Sequence, residues 1–175
     1  MPNQYTSPAV LQRFLQYVDK HGPVQPHRLD LGPCWVWTGA LYWKSGLGYG
    51  GFWWNGHSRL AHRVAYQLLR GPIPGNLTLD HLCHNGSSCI SGRSCEHRRC
   101  VNPWHLEPVS RGTNVLRGNG ITAKNVLKTH CPAGHPFTSE NTYVFRKKRS
   151  CRRCHTNREN ARRSKLSEQS RRNEL

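Results

Sequence analysis

Apolar residues recur at helical spacing near the start of the chain, between a serine–proline pair and a glycine–proline pair. The pattern runs from Ser7 to Val18. It favours a helix that begins at Pro8, because proline is tolerated where no intrahelical donor is needed and serine can cap the free amides. Gly22 and Pro23 mark its predicted end. We expect this first helix to serve packing.

The next segment changes from helical spacing to alternating aromatic residues. Tryptophan, tyrosine and phenylalanine between Cys34 and Trp54 are separated by glycines, and Asn55 with Gly56 follows as a turn signal. This pattern predicts a small antiparallel sheet. A short helix is predicted over residues 61–70, where apolar residues share one face before a glycine–proline stop.

The net charge of the chain indicates which kind of molecule it binds. The chain carries 26 Lys+Arg against 9 Asp+Glu, a formal charge of +17, and such a field is useful mainly near phosphate. Nucleic acid is therefore the predicted partner, although a basic protein that binds without chemistry stays an alternative. No stretch approaches the roughly 20 apolar residues of a spanning helix, and the first ten residues do not resemble a signal peptide. We expect a cytoplasmic protein with no membrane partner.

Two adjacent residues at the end of a short apolar run are the candidate centre of catalysis. The run, residues 77–79, is followed by Asp80 and His81. The imidazole can act as a general base, and the carboxylate, with the amide oxygen of Asn114, can hold a hard cation such as Mg²⁺ or Mn²⁺. Because side chains alternate along a strand, Asp80 and His81 face opposite sides unless the strand ends there in a bend.

Cysteines indicate small modules held together by metal. In a cytosolic protein, grouped cysteines favour zinc over disulfides. Four of the eight cysteines fall in one segment and predict a first structural zinc ion. Cys34, His84 and His97 remain competing ligands for it. The four predicted ligands are Cys83, Cys89, Cys95 and Cys100.

A second zinc pattern follows nearer the C-terminus. A C-x3-H pair precedes a C-x2-C pair, and the residues between them alternate like a strand of a hairpin. The arrangement resembles the zinc-ribbon or treble-clef fingers appended to some nucleases, in which the second pair opens a helix. The predicted ligands are Cys131, His135, Cys151 and Cys154.

Arginines after this second zinc pattern are predicted to contact nucleic acid along a helix. A solvated, partly disordered tail is the alternative. Arg63, on the predicted helix over residues 61–70, is a further candidate for a phosphate contact. The C-terminal candidates are Arg152, Arg153, Arg158, Arg162 and Arg163.

Residues 79–83, LDHLC, and residues 100–109, CVNPWHLEPV, followed by Asn114, resemble the HNH endonuclease family of the phage and mobile-element type. The resemblance extends roughly from Pro8 to Arg117. Upstream segments similar to those that precede the motif in that family are CWVWTG at 34–39, GYG at 48–50, AHRVAY at 61–66 and GPIP at 71–74.

The resemblance implies a ββα-metal, treble-clef-like nuclease core that cleaves double-stranded DNA as a monomer or homodimer. His81 matches the general base, and Asp80 and Asn114 match the metal ligands. His105 departs from the family pattern, since it stands where an asparagine usually orients the base. It is predicted to orient His81, to bind metal itself, or to leave the orienting role to Asn102.

The expected fold class is therefore α+β, with a small C-terminal zinc finger. The predicted division is an N-terminal helix and linker over 1–28, a nuclease domain over 29–119, a zinc-binding module over 128–166 and a disordered tail over 167–175. The predicted function is metal-dependent DNA cleavage. A catalytically inactive zinc-finger DNA-binding protein is the competing hypothesis.

Overall fold

The computed structural model describes residues 7–42, 48–89, 95–146 and 148–173. These residues combine helices with two-stranded antiparallel sheets, so the expected α+β class is confirmed. The chain forms two compact units, Met1–Val126 and Leu127–Leu175. No helix within the described residues is both long enough and apolar enough to cross a membrane.

The first helix, α1, spans Pro8–Leu15 and buries Phe14. The sequence predicted that it would continue toward Gly22, and this was wrong. Val18 lies instead in a two-residue strand, β1 (Val18–Asp19), which pairs with β2 (Val36–Trp37). Pairing with a neighbouring strand thus overrides the helical spacing of the local sequence.

A hairpin and a helix follow as the aromatic pattern predicts. Strands β3 (Gly51–Trp54) and β4 (His57–Leu60) pair in register across the Asn55–Gly56 turn. Both turn residues have positive φ, 51° and 75°, as a two-residue hairpin turn requires. Helix α2 spans Ala61–Arg70, in agreement with the predicted range.

Three aromatic side chains form the centre of the main core. The rings of Phe14 and Trp37 lie 5.1 Å apart, and Phe52 packs edge-on against both. Val64 and Leu68 from α2 complete this cluster. This core packs α1, the β3–β4 hairpin and α2 against one another.

The segment with the candidate catalytic residues contains two antiparallel strands followed by helices. Strand β5 spans Thr78–His81 and pairs with β6, Leu106–Val109. Helix α3 covers Arg111–Arg117, and α4 covers Ile121–Leu127. Short 3₁₀ helices occur at Leu29–Leu31, Glu96–Arg99 and Pro103–His105.

The second unit is a hairpin followed by a long helix. Strands β7 (Thr142–Phe145) and β8 (Lys148–Cys151) pair antiparallel, and α5 spans Arg152–Asn173. The predicted strand and the predicted helix start are both confirmed. The helix continues past residue 167, where the sequence predicted disorder. No glycine or proline interrupts it, and Glu168 pairs with Arg172 at 2.7 Å one turn later.

Candidate active site and metal centres

Strands β5 and β6 carry Asp80 and His81 to the wall of a cleft. Asp80 lies opposite Glu107, and His81 lies opposite Leu106. The buried side chains of Leu79 and Leu106 belong to one apolar cluster with Tyr66 of α2, which anchors the strand pair. Strand β5 ends at His81 and a turn begins at the next residue, which is the bend that allows both side chains to reach the same space.

The cleft has a volume of about 320 Å³ and is lined by all three residues predicted as base and metal ligands: Asp80, His81 and Asn114. Asn114 comes from α3. The Ser110 hydroxyl caps that helix by accepting a hydrogen bond from the amide of Thr113 at 3.1 Å. The arrangement therefore joins a carboxylate, an imidazole and a carboxamide from two separate elements.

The His81 imidazole is held by a main-chain contact. Its Nε2 lies 3.2 Å from the carbonyl oxygen of Cys100. A carbonyl only accepts, so Nε2 carries the proton and Nδ1 keeps its lone pair. Burial lowers the pKa of His81 to about 4, although the Cys100 carbonyl and Asp80 oppose this shift. The ring is therefore neutral at pH 7 and can accept a proton at Nδ1.

The Asp80 carboxylate is 3% exposed and is surrounded by donors. Its Oδ2 accepts hydrogen bonds from Asn85 Nδ2 at 2.7 Å and from Arg117 Nη1 at 3.2 Å. The same Arg117 nitrogen also donates to the carboxylate of Glu107. A buried carboxylate needs a cation or donors nearby, and this site provides both.

Neither Asn102 nor His105 is among the described residues that line the cleft. Asn102 donates to the Pro33 carbonyl at 3.0 Å and caps the Pro103–His105 3₁₀ helix by accepting from the amide of Trp104. The fully buried ring of His105 lies among cysteines, while its backbone carbonyl accepts a hydrogen bond from the amide of Leu82, next to His81, at 2.8 Å. The alternative in which His105 is a metal ligand fits its position.

Among the described residues, cysteine and histidine side chains form three groups, and within each group the ligand atoms all lie within 4.8 Å of one another. Each group could hold a metal ion such as zinc. The four cysteines predicted to share one ion are divided between two of these groups, so that grouping differs from the structure. The Cys34 cluster is Cys34, Cys83, Cys100 and His105; the His84 cluster is His84, Cys89, Cys95 and His97; the Cys131 cluster is Cys131, His135, Cys151 and Cys154.

The Cys34 cluster takes Cys83 from just after β5 and His105 from just before β6, and it fits a closed zinc site. His105 Nδ1 is 3.5 Å from Cys100 Sγ and 3.6 Å from Cys34 Sγ. A tetrahedral zinc ion sets its sulfur and nitrogen ligands roughly 3.4 to 3.8 Å apart. Burial lowers the pKa of His105, but the thiolates of Cys100 and Cys34 raise it to about 10. His105 Nε2 donates to the Leu31 carbonyl at 2.9 Å, which directs Nδ1 at the sulfurs.

The Cys131 cluster has the same ligand chemistry in the second unit. His135 Nδ1 is 3.2 Å from Cys154 Sγ and 3.5 Å from Cys131 Sγ, and the two sulfurs are 3.6 Å apart. The amides of His135 and Cys154 donate to Cys131 Sγ and Cys151 Sγ. Amide donors of this kind stabilise thiolates, the form of cysteine that binds metal.

The predicted nucleic-acid-binding arginines of the second unit are all exposed on α5. Some of them also have partners inside the unit: Arg152 lies over the Tyr143 ring, Arg158 donates to the Cys154 carbonyl, and Arg162 pairs with Glu159. Arg63 lies on α2 and lines a different cavity. Burial lowers its pKa. Arg63 is not among the described residues that line the cleft.

Three residues near the candidate site were not predicted from the sequence. Arg117 bonds to Asp80, and Tyr49 and Arg98 line the cleft. A signal existed for Arg117, because it follows Asn114 by three residues, and residues at this spacing share a face of a helix such as α3. Tyr49 and Arg98 carried no such signal. Their contact, with the guanidinium 5.0 Å from the ring centre, joins segments that are distant in sequence.

Comparison with known proteins agrees with the motif around the cleft. Residues 59–89 match the family described as HNH endonuclease. A 73-residue segment is 38% identical to Protein 7.7 of Escherichia phage T7 and covers 42% of this chain. The same segment covers 45% of that phage protein, so the similarity spans less than half of its length. No solved structure matches the chain.

Proposed function

We propose that this chain, which is similar to HNH endonucleases over residues 59–89, is a metal-dependent DNA endonuclease with His81 as its general base. The observation that carries the proposal is the meeting of Asp80, His81 and Asn114 at one cleft, on a strand pair followed by a helix. The order of these elements is the one that the family resemblance implies for a ββα-metal core.

The role of His81 follows from its hydrogen bond. With Nε2 donating to the Cys100 carbonyl, Nδ1 is the atom that can take a proton from an attacking water. Because burial lowers the pKa of this residue, the base is in its neutral form throughout the physiological pH range. The Cys100 contact also fixes the orientation of the ring.

Asp80 and Asn114 are the residues that would hold a divalent cation. One carboxylate and one carboxamide are hard oxygen donors, which suit Mg²⁺ or Mn²⁺ better than zinc. Such a cation, when bound, neutralises the charge that develops on the phosphate and the leaving oxygen. Because only these two protein ligands are proposed, we expect weak metal affinity in the absence of DNA.

Double-stranded DNA is the proposed substrate because the chain carries a formal charge of +17 and the cleft wall includes Arg98. The arginines of α5 supply further phosphate contacts in this proposal. Structural zinc ions in the Cys34 and Cys131 clusters would hold the two units in shape. Within the Cys34 cluster, Cys100 would bind such an ion through its sulfur, and its carbonyl accepts the hydrogen bond from His81.

The proposal is tested by incubating supercoiled plasmid with the purified chain and Mg²⁺. We expect nicked or linear product from the wild type, and at least a hundredfold slower cleavage from His81→Ala, since general base catalysis is typically worth about 10²–10⁴ in rate. His21→Ala is the matched control, because this side chain is 97% exposed and lies outside the cleft.

The competing function is DNA binding without cleavage. It is favoured by one observation, since Asp80 already bonds to Arg117 and Asn85 and so has partners without a metal. If the wild type and His81→Ala both retard the plasmid on a gel and leave it intact with Mg²⁺ and Mn²⁺, the binding function replaces the nuclease.

A further inference from the structure

We propose that the His84 cluster binds a zinc ion of its own, distinct from the ion of the Cys34 cluster, and that this ion stabilises one wall of the catalytic cleft. The sequence predicted a single zinc ion between the two halves of the candidate catalytic motif. The structure instead forms two complete sets of four ligands, and one of them, the His84 cluster, lies wholly between these halves in sequence.

The first support is the unsatisfied polarity of the two histidines. His84 Nε2 and His97 Nε2 are buried, and neither has a hydrogen-bond partner within the described residues. The two rings meet edge-on with their centres 5.2 Å apart, and Cys95 Sγ lies 3.7 Å from His97 Nδ1. Buried imidazole rings that lack hydrogen-bond partners are costly, and coordination to a shared cation would add a strong contact to each ring.

The second support is the chemistry of the donor set. Two thiolates and two imidazoles form a Cys₂His₂ site, whose soft and borderline ligands select zinc over magnesium or calcium. The four ligand atoms lie within 4.8 Å of one another, which is close enough for all of them to reach one ion. Four protein ligands leave no open position, which is typical of a structural rather than a catalytic zinc ion.

The third support is how completely the three clusters use the available ligands. Every cysteine of the chain belongs to one of them, and each cluster has four members. Cys83 and His84 are neighbours in sequence but belong to different clusters. Neither the Cys34 cluster nor the His84 cluster needs a ligand from the other to complete a tetrahedron.

The His84 cluster lies next to His81, the proposed general base, and its position suits it to hold that residue in place. His84, Cys95 and His97 line the same cleft as Asp80 and His81. The amide of His84 donates to the His81 carbonyl at 2.9 Å, and the amide of Cys100, whose carbonyl holds the His81 ring, donates to the His97 carbonyl at 3.0 Å. An ion shared by His84 and His97 therefore ties together the two segments that position His81.

The number of bound zinc ions tests this inference independently of nuclease activity. The full-length chain is loaded with zinc, separated from excess metal by gel filtration and analysed by mass spectrometry of the elements. We expect three zinc ions per chain. Cys89→Ser is expected to reduce this to two, while Ser88→Ala, the exposed neighbour, keeps three. A wild-type value of two, or a Cys89→Ser variant that keeps three, overturns the proposal.

X-ray absorption at the zinc edge of the wild type gives a second readout that needs no variant. Eight thiolates and four imidazoles over three ions predict two sulfur ligands for each nitrogen ligand. A ratio of three to one indicates that only the Cys34 and Cys131 clusters are filled, and seven to one indicates that one ion binds Cys83, Cys89, Cys95 and Cys100. Either of these ratios excludes a separate ion in the His84 cluster.

Discussion

Arg117 places its guanidinium against the carboxylate of Asp80, with Nη1 3.2 Å from Oδ2. The Asp80 side chain is almost fully buried, whereas that of Arg117 is 38% exposed. Glu107 holds the same guanidinium from the other side. Arg117 thus supplies a positive charge to the residue that is proposed to bind the catalytic cation, and a bound cation would compete with Arg117 for this carboxylate.

Replacement of Arg117 by glutamine is expected to lower the Mg²⁺ concentration that half-saturates cleavage. Loss of a competing ion pair worth about 1 kcal/mol corresponds to roughly a fivefold decrease. The measurement is the plasmid-nicking rate as a function of Mg²⁺ concentration. Arg111→Gln is the control, because it removes the same charge from an exposed position on α3. An unchanged or higher Mg²⁺ requirement for Arg117→Gln contradicts the competition.

The protonation of His81 provides a pH prediction. Burial lowers its pKa to about 4, whereas a histidine in an unfolded chain titrates near 6.5. As the pH falls below about 6.5, the unfolded state therefore takes up a proton that the folded state does not, and the contribution of His81 to stability is lost progressively toward pH 4.

Nuclear magnetic resonance of the imidazole nitrogens checks this directly. Between pH 7.5 and 5, we expect the His81 signals to remain those of a neutral ring protonated at Nε2. The assignment uses the His81→Gln variant, in which these signals are missing. A midpoint near 6.5 would show that the ring is hydrated in solution and that burial does not hold it neutral.

Elements specified by local sequence were predictable. Asn55 and Gly56 need a backbone with positive φ, which few other residue pairs adopt so readily, and the hairpin formed around them. Asp80, His81 and Asn114 were predicted because their residue types suit a cleavage site; the structure brings them to one cleft, and their catalytic role stays a prediction. The end of α1 was missed because Val18 is fixed by pairing with Trp37, a contact across 19 residues that no helical period reveals.

The metal ligands were harder to predict for a related reason. Sequence spacing groups Cys83 with Cys89, but the turn after His81 places Cys83 beside Cys34 and His84 beside Cys95. Adjacent residues in a turn point in different directions, so neighbours in sequence can serve different ions. For the Cys131 cluster, in contrast, sequence spacing did predict the grouping. Its ligands occur as two closely spaced pairs, Cys131 with His135 and Cys151 with Cys154.

Gly50 offers a stability prediction, because a side chain there would collide with the core. A Cβ atom on Gly50 would lie 2.6 Å from Cγ of Trp37, whose ring is 1% exposed. We expect Gly50→Ala to reduce the free energy of unfolding by about 1–3 kcal/mol, as overpacking of a core does. Gly75→Ala is the matched control, since nothing lies within 4 Å of its Cβ position. Urea unfolding of the zinc-loaded protein, followed by tryptophan fluorescence, measures the difference, and equal stability of both variants would contradict it.

The exposed arginines of α5 predict how DNA binding responds to salt. Each phosphate contact adds about 0.9 to the negative slope of log affinity against log salt concentration. Arg153 and Arg163 are exposed on α5, so replacing both with glutamine should reduce the slope by up to about 1.8 if both contact phosphate.

A control with the same change in net charge separates contact from general attraction. Arg13 donates to the Trp53 carbonyl and Arg28 pairs with Asp30, so both side chains are used inside the first unit. Replacing Arg13 and Arg28 with glutamine is expected to leave the slope nearly unchanged. These two arginines are not expected to contact phosphate, so they displace no counterions from DNA. Fluorescence anisotropy of a labelled duplex over a series of salt concentrations gives both slopes. Equal slopes for the two double variants would mean that α5 does not contact phosphate and that DNA senses only the net charge of the chain.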